Sequence, residues 1–251
     1  MNLPPQFSER IRPDIVKRAF LSTMSKRREN YGADPEAGSR HVTYFKKRSD
    51  TYRSQKGKGM SRTPRKIMLG RGMQLVGEGA EAPNARGGRR AHQPKSDRKF
   101  DEQINDKERR KAIRSAIAAT ASDKVYERHR YDGELPIVVE DIQKIERTQA
   151  LIETLEQNGL GDELDRCRER TVRGGKGRNR GRKYETKVGP LVVVDRDDGV
   201  LSAASNIPGI DATEVDQLSA EDLAPGAKPG RLTVYSENAL KKLEAEELFY
   251  G

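Results

Sequence analysis

Apolar positions along this chain follow two rhythms. In the first, they recur every three or four residues, as on one face of a helix. Ile15, Val16, Ala19, Phe20 and Met24 do so behind Pro13 and Asp14, which suit a first helical turn, and Gly32 in "ENYG" is the expected stop. After the middle of the chain the same spacing returns. Asn105 and Glu108 stand at capping-box spacing, and Ala112, Ile113, Ala116, Ile117 and Thr120 form the stripe behind them. A helix over about 145–157 should turn Leu151, Ile152 and Leu155 inward and end at Gly159. Shorter ones are expected over "DELDRCRE", with Leu164 and Cys167 inside, and around 202–206. Ser236 should cap a final helix carrying Leu240, Leu243 and Leu248 on one face.

The second rhythm is a short unbroken apolar run. "LPIVVE" (135–140), "PLVVVD" (190–195) and "RLTVYS" (231–236) have strand length, and "TEVDQL" (213–218) is a weaker fourth. Strands apolar at consecutive positions, with helices between them, imply a parallel sheet covered on both faces. The expected class is α/β: a three-layer, open, mainly parallel sheet with helices on both faces, plus a long extended internal loop.

Between these patterned regions both rhythms stop. Residues 40–99 hold 17 Lys and Arg against 4 Asp and Glu, a net of +13, whereas all 251 residues carry +10. The stretch is dense in Gly and Pro, which loosen the backbone or block ladders. A loop of this length is far beyond the usual ~4–6 residues and calls for a partner to order it. The expected organisation is a discontinuous body, 1–39 and 100–251, interrupted by a basic loop, 40–99. One part of the loop, "IMLGRGMQLVG" (67–77), holds Ile, Leu, Val and two Met among its glycines. It reads either as the far end of the loop, pressed into a crevice, or as a foot packing back on its own domain. A second basic cluster, "RERTVRGGKGRNRGRKY" (168–184), has 8 Lys and Arg and one Glu. Its glycines let guanidiniums approach phosphate oxygens closely. It does not read as a nucleotide-binding loop, since no strand is expected before it and no Gly-Lys-Ser/Thr opens a helix after it.

Charge narrows the function classes. A pI of about 9.6 points to a polyanionic partner. No apolar run approaches the ~18 residues of a membrane span, and the first twenty residues lack a signal-peptide core, so a cytosolic protein is expected. Cys167 is the only cysteine, so it forms no intrachain disulfide, and it reads as a small core residue. His41, His92 and His129 show no metal spacing. His92 lies in the basic loop, suited to stacking on or bonding to RNA, and His129 in "YERHRYDG" is expected to be exposed. No nucleophile elbow or dinucleotide fingerprint appears. The carboxylates of "DRDDG" (195–199) follow a strand, where an α/β enzyme places ligands, but their ordinary role is a polar turn. Neither a basic recognition helix nor a basic amphipathic helix is present. A structural RNA-binding protein therefore leads. The alternative is an α/β enzyme with a basic lid acting on an anionic substrate.

Four collinear stretches carry a family likeness. They are "ARGGRRAHQPK" (85–95), "NDKERRKAIRSAIAATA" (105–121), "GGKGRNRGRKY" with the following "GPLVVV" (174–194), and "EDLAPGAKPGRLTVYSENAL" (221–240). In order and spacing the chain resembles the large ribosomal subunit protein four family, the universal L-4 family in its archaeal and eukaryotic form, over about residues 5–248. Gln93 stands where the archaeal motif often has a second proline. The family also has a strand and turn before the "LPPQF" region, so the sheet here is expected to lack an edge strand unless the start is misassigned. The stop after Gly251 implies that the long eukaryotic C-terminal extension is absent.

The resemblance implies a non-enzymatic, cytoplasmic ribosomal protein of the large subunit. It implies a body bound to large-subunit rRNA and a loop that reaches the peptide exit tunnel beside protein L-22, where it meets the nascent peptide. The rRNA contacts it implies are Arg62, Arg65, Lys66 and Arg71; Arg86, Arg89, Arg90, His92 and Lys95 on the returning arm; and Arg173, Lys176, Arg178, Arg180, Arg182 and Lys183 near the body. Arg71, Met73 and Gln74 are the implied tunnel wall. No catalytic residue, metal ligand or cofactor is implied, any structural Mg2+ being held by the rRNA.

Overall fold

The structure is a computed structural model describing residues 3–51, 54–67, 69–71 and 74–250, with 69–71 and 74–76 described by backbone alone. The chain divides into two units, Met1–Arg27 with Asp101–Gly251, and Arg28–Phe100. The larger unit opens with a 3-10 turn, Pro5–Ser8, followed by helix α1 (Pro13–Lys26).

Residues 28–100 contain only short strands among the described residues: β1 (Thr43–Tyr44), β2 (Arg65–Lys66), β3 (Leu69–Arg71) and β4 (Gln74–Val76). β1 pairs antiparallel with β2, and β3 with β4. The expected loop thus has regular backbone of its own. Gly32 packs so closely on the returning leg that a Cβ there would meet the Ser96 nitrogen at 2.7 Å. Beside it the Ala33 N–H donates to the Pro94 carbonyl at 2.9 Å.

The larger unit continues with α2 (Asp106–Thr120), β5 (Ile137–Val139), α3 (Thr148–Gln157), α4 (Gly161–Arg168), the short strands β6 (Thr171–Val172) and β7 (Tyr184–Glu185), and β8 (Leu191–Val194). It ends with α5 (Val200–Ser205), β9 (Asp211–Glu214), α6 (Ala220–Leu223), β10 (Thr233–Ser236) and α7 (Glu237–Ala245). Strands β5, β10, β8 and β9 lie side by side in that order, all parallel.

β8 shows why its run is apolar throughout. Leu191 and Val193 join a core with α1, α2, α6 and α7, while Val192 and Val194 join a second core with α3, α4 and α5. Side chains alternate across a strand, so a strand buried on both faces needs an apolar residue at every position. The α/β class with helices on both faces is therefore the observed architecture. In the first core Tyr235 meets Phe7 edge-on at 5.4 Å and shares a hydrogen bond with Thr120 at 3.0 Å. Burial holds the Tyr235 phenol well above its usual range.

Several local expectations change. α1 ends at Lys26, with Arg27 as its cap, short of Gly32. Of its predicted face, Met24 is exposed and Ser22 is buried instead. There Ser22 Oγ donates to the Glu102 carbonyl at 2.6 Å and the Glu102 N–H donates to Ser25 Oγ at 2.9 Å, joining α1 to the chain entering α2. Asn105 is the N-cap of α2, but its side chain makes no capping bond. The fourth strand is Asp211–Glu214, so Thr213 and Glu214 of "TEVDQL" belong to it while Val215–Gln217 form a 3-10 turn, because pairing with β8 sets the register. Ser236 does cap α7, accepting from the Ala239 N–H at 3.0 Å, while Leu248 lies beyond that helix.

Candidate nucleic-acid interface

The second basic cluster is a hairpin. β6 and β7 pair antiparallel, Thr171 opposite Glu185 and Val172 opposite Tyr184, and the Arg173 N–H donates to the Lys183 carbonyl at 2.8 Å. A short strand does lead into the glycine-rich turn, contrary to expectation, but the turn returns as a strand, so no nucleotide-binding helix follows. Arg178–Arg180 form one 3-10 turn, and Gly181 follows it at φ +80°, a conformation that glycine adopts without strain. Lys176, Arg178, Arg180, Arg182 and Lys183 are exposed, and Arg173 is half-buried. Among the described residues none of the six forms an ion pair with a carboxylate, which leaves their charge available to an anion.

The base of this hairpin is fixed by buried charge. Glu163 on α4 has no exposed surface and accepts from Arg166 Nε at 2.7 Å, Arg166 Nη2 at 2.6 Å and the Arg130 N–H at 3.0 Å. His129 Nδ1 lies 2.5 Å from the same carboxylate, so the expected exposed histidine is buried against a partner 34 positions away. Arg166 Nη2 also donates to the Val188 carbonyl at 2.6 Å, tying α4 to the segment that leaves the hairpin toward β8. Burial alone would raise the Glu163 pKa, but the donors from Arg166, His129 and the Arg130 backbone outweigh it and hold the group down at about 2.

The sign of the pH effect follows. A carboxyl whose folded pKa lies below its ordinary value of 4.5 stabilises the fold above that value, and the contribution disappears as pH falls toward 2. It amounts to about 3 kcal/mol. Urea midpoints measured between pH 6 and pH 2 should fall steeply in the wild type, and Glu163→Gln should flatten that acid limb. An unchanged limb in the variant would remove Glu163 as its source.

Cys167 packs beside this cluster as expected, buried, with burial pushing its thiol up. Gly189 sits so close that a Cβ would meet the Cys167 sulfur at 2.5 Å. The carboxylates of 195–199 form a turn: Asp195 pairs with Lys242 at 3.2 Å, and Asp197 Oδ1 accepts from the N–H groups of Gly199 and Leu201 at 2.8 and 3.3 Å. Among the described residues no cluster of three or more His, Cys, Asp or Glu could hold a metal ion, and no helix is long and apolar enough to cross a membrane.

Within residues 28–100 the candidate cations fall into two sets. Arg86, Arg89, Arg90, His92 and Lys95 are exposed, with His92 at φ +47°. Arg62 is exposed as well, whereas Arg65 and Lys66 are engaged within the unit. Arg65 donates to the Gly77 carbonyl at 3.0 Å and to Ser61 Oγ at 2.8 Å, and Lys66 faces Glu78 at 3.5 Å. Arg71 and Gln74 face each other in the β3–β4 register, but their side chains, like the whole of Met73, lie outside the described residues.

Sequence reasoning passed over one cluster here. The rings of Tyr31 and Phe100 stack with centroids 5.9 Å apart and planes 12° apart. The Arg28 guanidinium lies 4.0 Å from the Phe100 centroid and that of Arg98 lies 5.2 Å from it. Arginines beside aromatics in "RRENY" and "DRKF" were the available signal.

The family described as "Ribosomal protein L4/L1 family" matches residues 1–246. The chain belongs to the ribosomal protein L4/L1 family. It is 44% identical to "Large ribosomal subunit protein uL4" of Nanoarchaeum equitans, over 100% of this chain and 94% of that protein. It is also 44% identical to the protein of that name from Archaeoglobus fulgidus, over 97% and 92%, and 40% identical to that of Halobacterium salinarum, over 97% and 93%. A ribosomal protein family spanning the chain decides against the enzyme with a basic lid: the chain is a structural ribosomal protein.

Proposed function

We propose that the chain is a constituent of the large ribosomal subunit, in the cytoplasm, and that it binds large-subunit rRNA through two basic surfaces. One is the hairpin carrying Arg173, Lys176, Arg178, Arg180, Arg182 and Lys183. The other is the segment of residues 40–99 carrying Arg62, Arg86, Arg89, Arg90, His92 and Lys95, with Arg65 and Lys66 contributing what their internal bonds leave free. The body of 1–39 and 100–251 docks while residues 40–99 follow the RNA inward. Residues 65–77 line part of the peptide exit tunnel beside protein L-22, with Arg71, Met73 and Gln74 facing the nascent peptide.

The observation that carries this reading is the coincidence of family membership along residues 1–246 with exposed cations that form no ion pair with a carboxylate among the described residues. A cation already paired releases little on binding a phosphate; an unpaired one displaces the counterions of the RNA and gains their entropy. The mechanism is counterion replacement and shape matching. It needs no cofactor of the protein's own, and any Mg2+ belongs to the rRNA.

The test is sedimentation of a cell lysate at rising salt, with this chain followed by mass spectrometry. It should remain with the large subunit through a stringent salt wash. A chain lacking residues 65–77 should still assemble and should alter the passage of nascent peptides. A chain that sediments free at every salt concentration ends the rRNA reading. An unchanged tunnel in the deletion ends the tunnel assignment alone.

A further inference from the structure

We propose that the Tyr31–Phe100 stack is a platform for an unpaired RNA base, a contact distinct in kind from the phosphate contacts above. The proposal rests on the rRNA-binding reading and adds to it a site and its ligand chemistry: the face of a nucleobase splayed out of a loop, bulge or strand end.

Three observations carry it. Tyr31 stacks nearly parallel on Phe100 yet keeps 55% of its surface exposed, so the ring is held in orientation while remaining open to solvent. Two guanidiniums lie over the Phe100 ring, and among the described residues neither Arg28 nor Arg98 forms an ion pair, although Glu29 and Asp97 adjoin them in sequence. Arg98 also lines a cavity of about 490 Å³ with His92, Gln93, Pro94, Lys95 and Asp97, so groups that suit a phosphate adjoin those that suit a base. The two legs that present the rings are held together by the Gly32–Ser96 close approach and the Ala33–Pro94 hydrogen bond. A base therefore meets a surface already ordered, and stacking of this type tolerates any base because each has a π-face.

A buried aromatic pair would be explained as packing alone. This pair lies in a chain with 5% aromatic residues and no tryptophan, in a unit of residues 28–100 that holds 18 Lys and Arg against 7 Asp and Glu. Arginine beside an open aromatic face is the arrangement that single-stranded nucleic acid uses.

The first measurement is ultraviolet crosslinking of the intact large subunit, followed by digestion and mass spectrometry. A nucleotide adduct is expected on the tryptic peptide of residues 29–40, which holds Tyr31, or on Phe100. The second is binding of the full chain to a transcript of large-subunit rRNA. Tyr31→Ala should lower affinity roughly ten-fold while leaving the slope of log K against log salt unchanged, because no charge is lost, and Tyr31→Phe should bind as wild type. Circular dichroism of each variant reports whether its fold persists. Adducts on the basic segments with none on 29–40 or Phe100, or a Tyr31→Ala variant that binds as wild type, would overturn the platform and leave rRNA binding standing. A wild-type chain that does not bind the transcript overturns rRNA binding itself.

Discussion

Replacing Arg178, Arg180, Arg182 and Lys183 together with glutamine should weaken binding of the full chain to large-subunit rRNA by roughly a hundred-fold near physiological salt, and should reduce the salt slope by about 3. These side chains are exposed on a hairpin whose backbone is closed by its own β6–β7 pairing, so their loss should leave the fold intact. Each neutralised phosphate contributes ~0.7–0.9 to the slope, so four lost contacts set the size of the change. Glutamine keeps the length and the hydrogen bonding and removes only the charge. As a control, Lys144 and Lys241 are exposed but paired with Asp141 and Glu237, and their replacement should move the slope little. Filter binding or anisotropy over a series of salt concentrations reads both quantities. A slope that survives the fourfold change would take the hairpin out of the interface.

Arg231→Met should cost the larger unit about 3–5 kcal/mol, a fall in melting temperature of roughly 10 °C. Arg231 is 2% exposed and donates in three directions: Nε to the Gly189 carbonyl at 2.9 Å, Nη1 to the Asp222 carbonyl at 2.9 Å and Nη2 to Asp211 Oδ2 at 2.5 Å. Those acceptors lie just before β8, on α6 and at the start of β9, so one guanidinium joins the entries of two strands to a helix. Methionine fills the volume and leaves buried acceptors without donors, which is the expensive part. Asp211→Asn is the informative contrast. Its side chain is 65% exposed, and water can replace the missing charge, so its effect should stay under about 1 kcal/mol. Thermal melts of the two variants side by side check both numbers. Equal losses would place the stabilisation in the ion pair and not in the buried carbonyl contacts.

What the sequence made legible was whatever a local pattern controls. The unbroken run of β8 gave the parallel sheet, because only a doubly covered strand is apolar at consecutive positions. All five positions of the α2 stripe, Ala112, Ile113, Ala116, Ile117 and Thr120, are buried, and Ser115, Ala118 and Ala119 are buried with them. The misses have distant partners. α1 stops at Lys26 while the residues around Gly32 lie against Ser96 and Pro94, and nothing near Gly32 in sequence announces that. His129 looked like a surface residue because Glu163, which buries with it, is 34 positions away. The polar "DATE" of β9 is a strand because β8 supplies its ladder, and as an outer strand it can be polar. At the candidate interface the exposed arginines were readable from composition. The stacked rings were not, since Tyr31 and Phe100 stand at opposite ends of the segment that brings them together.

The serine clasp between α1 and the chain entering α2 has a consequence for timing. Ser22 and Ser25 hold Glu102, and Ile15, Val16 and Ala19 find their apolar partners on α2. During synthesis the first helix therefore waits for roughly 90 further residues before its counterpart exists, which at ~5–20 residues per second is on the order of 5–20 s. For that interval an amphipathic helix and a strongly cationic tether hang together outside the ribosome that is making them. A newborn chain in that state is sticky toward both apolar surfaces and stray RNA, so a factor that shields it should engage before α2 emerges, and slowing translation between residues 28 and 100 should lengthen its exposure.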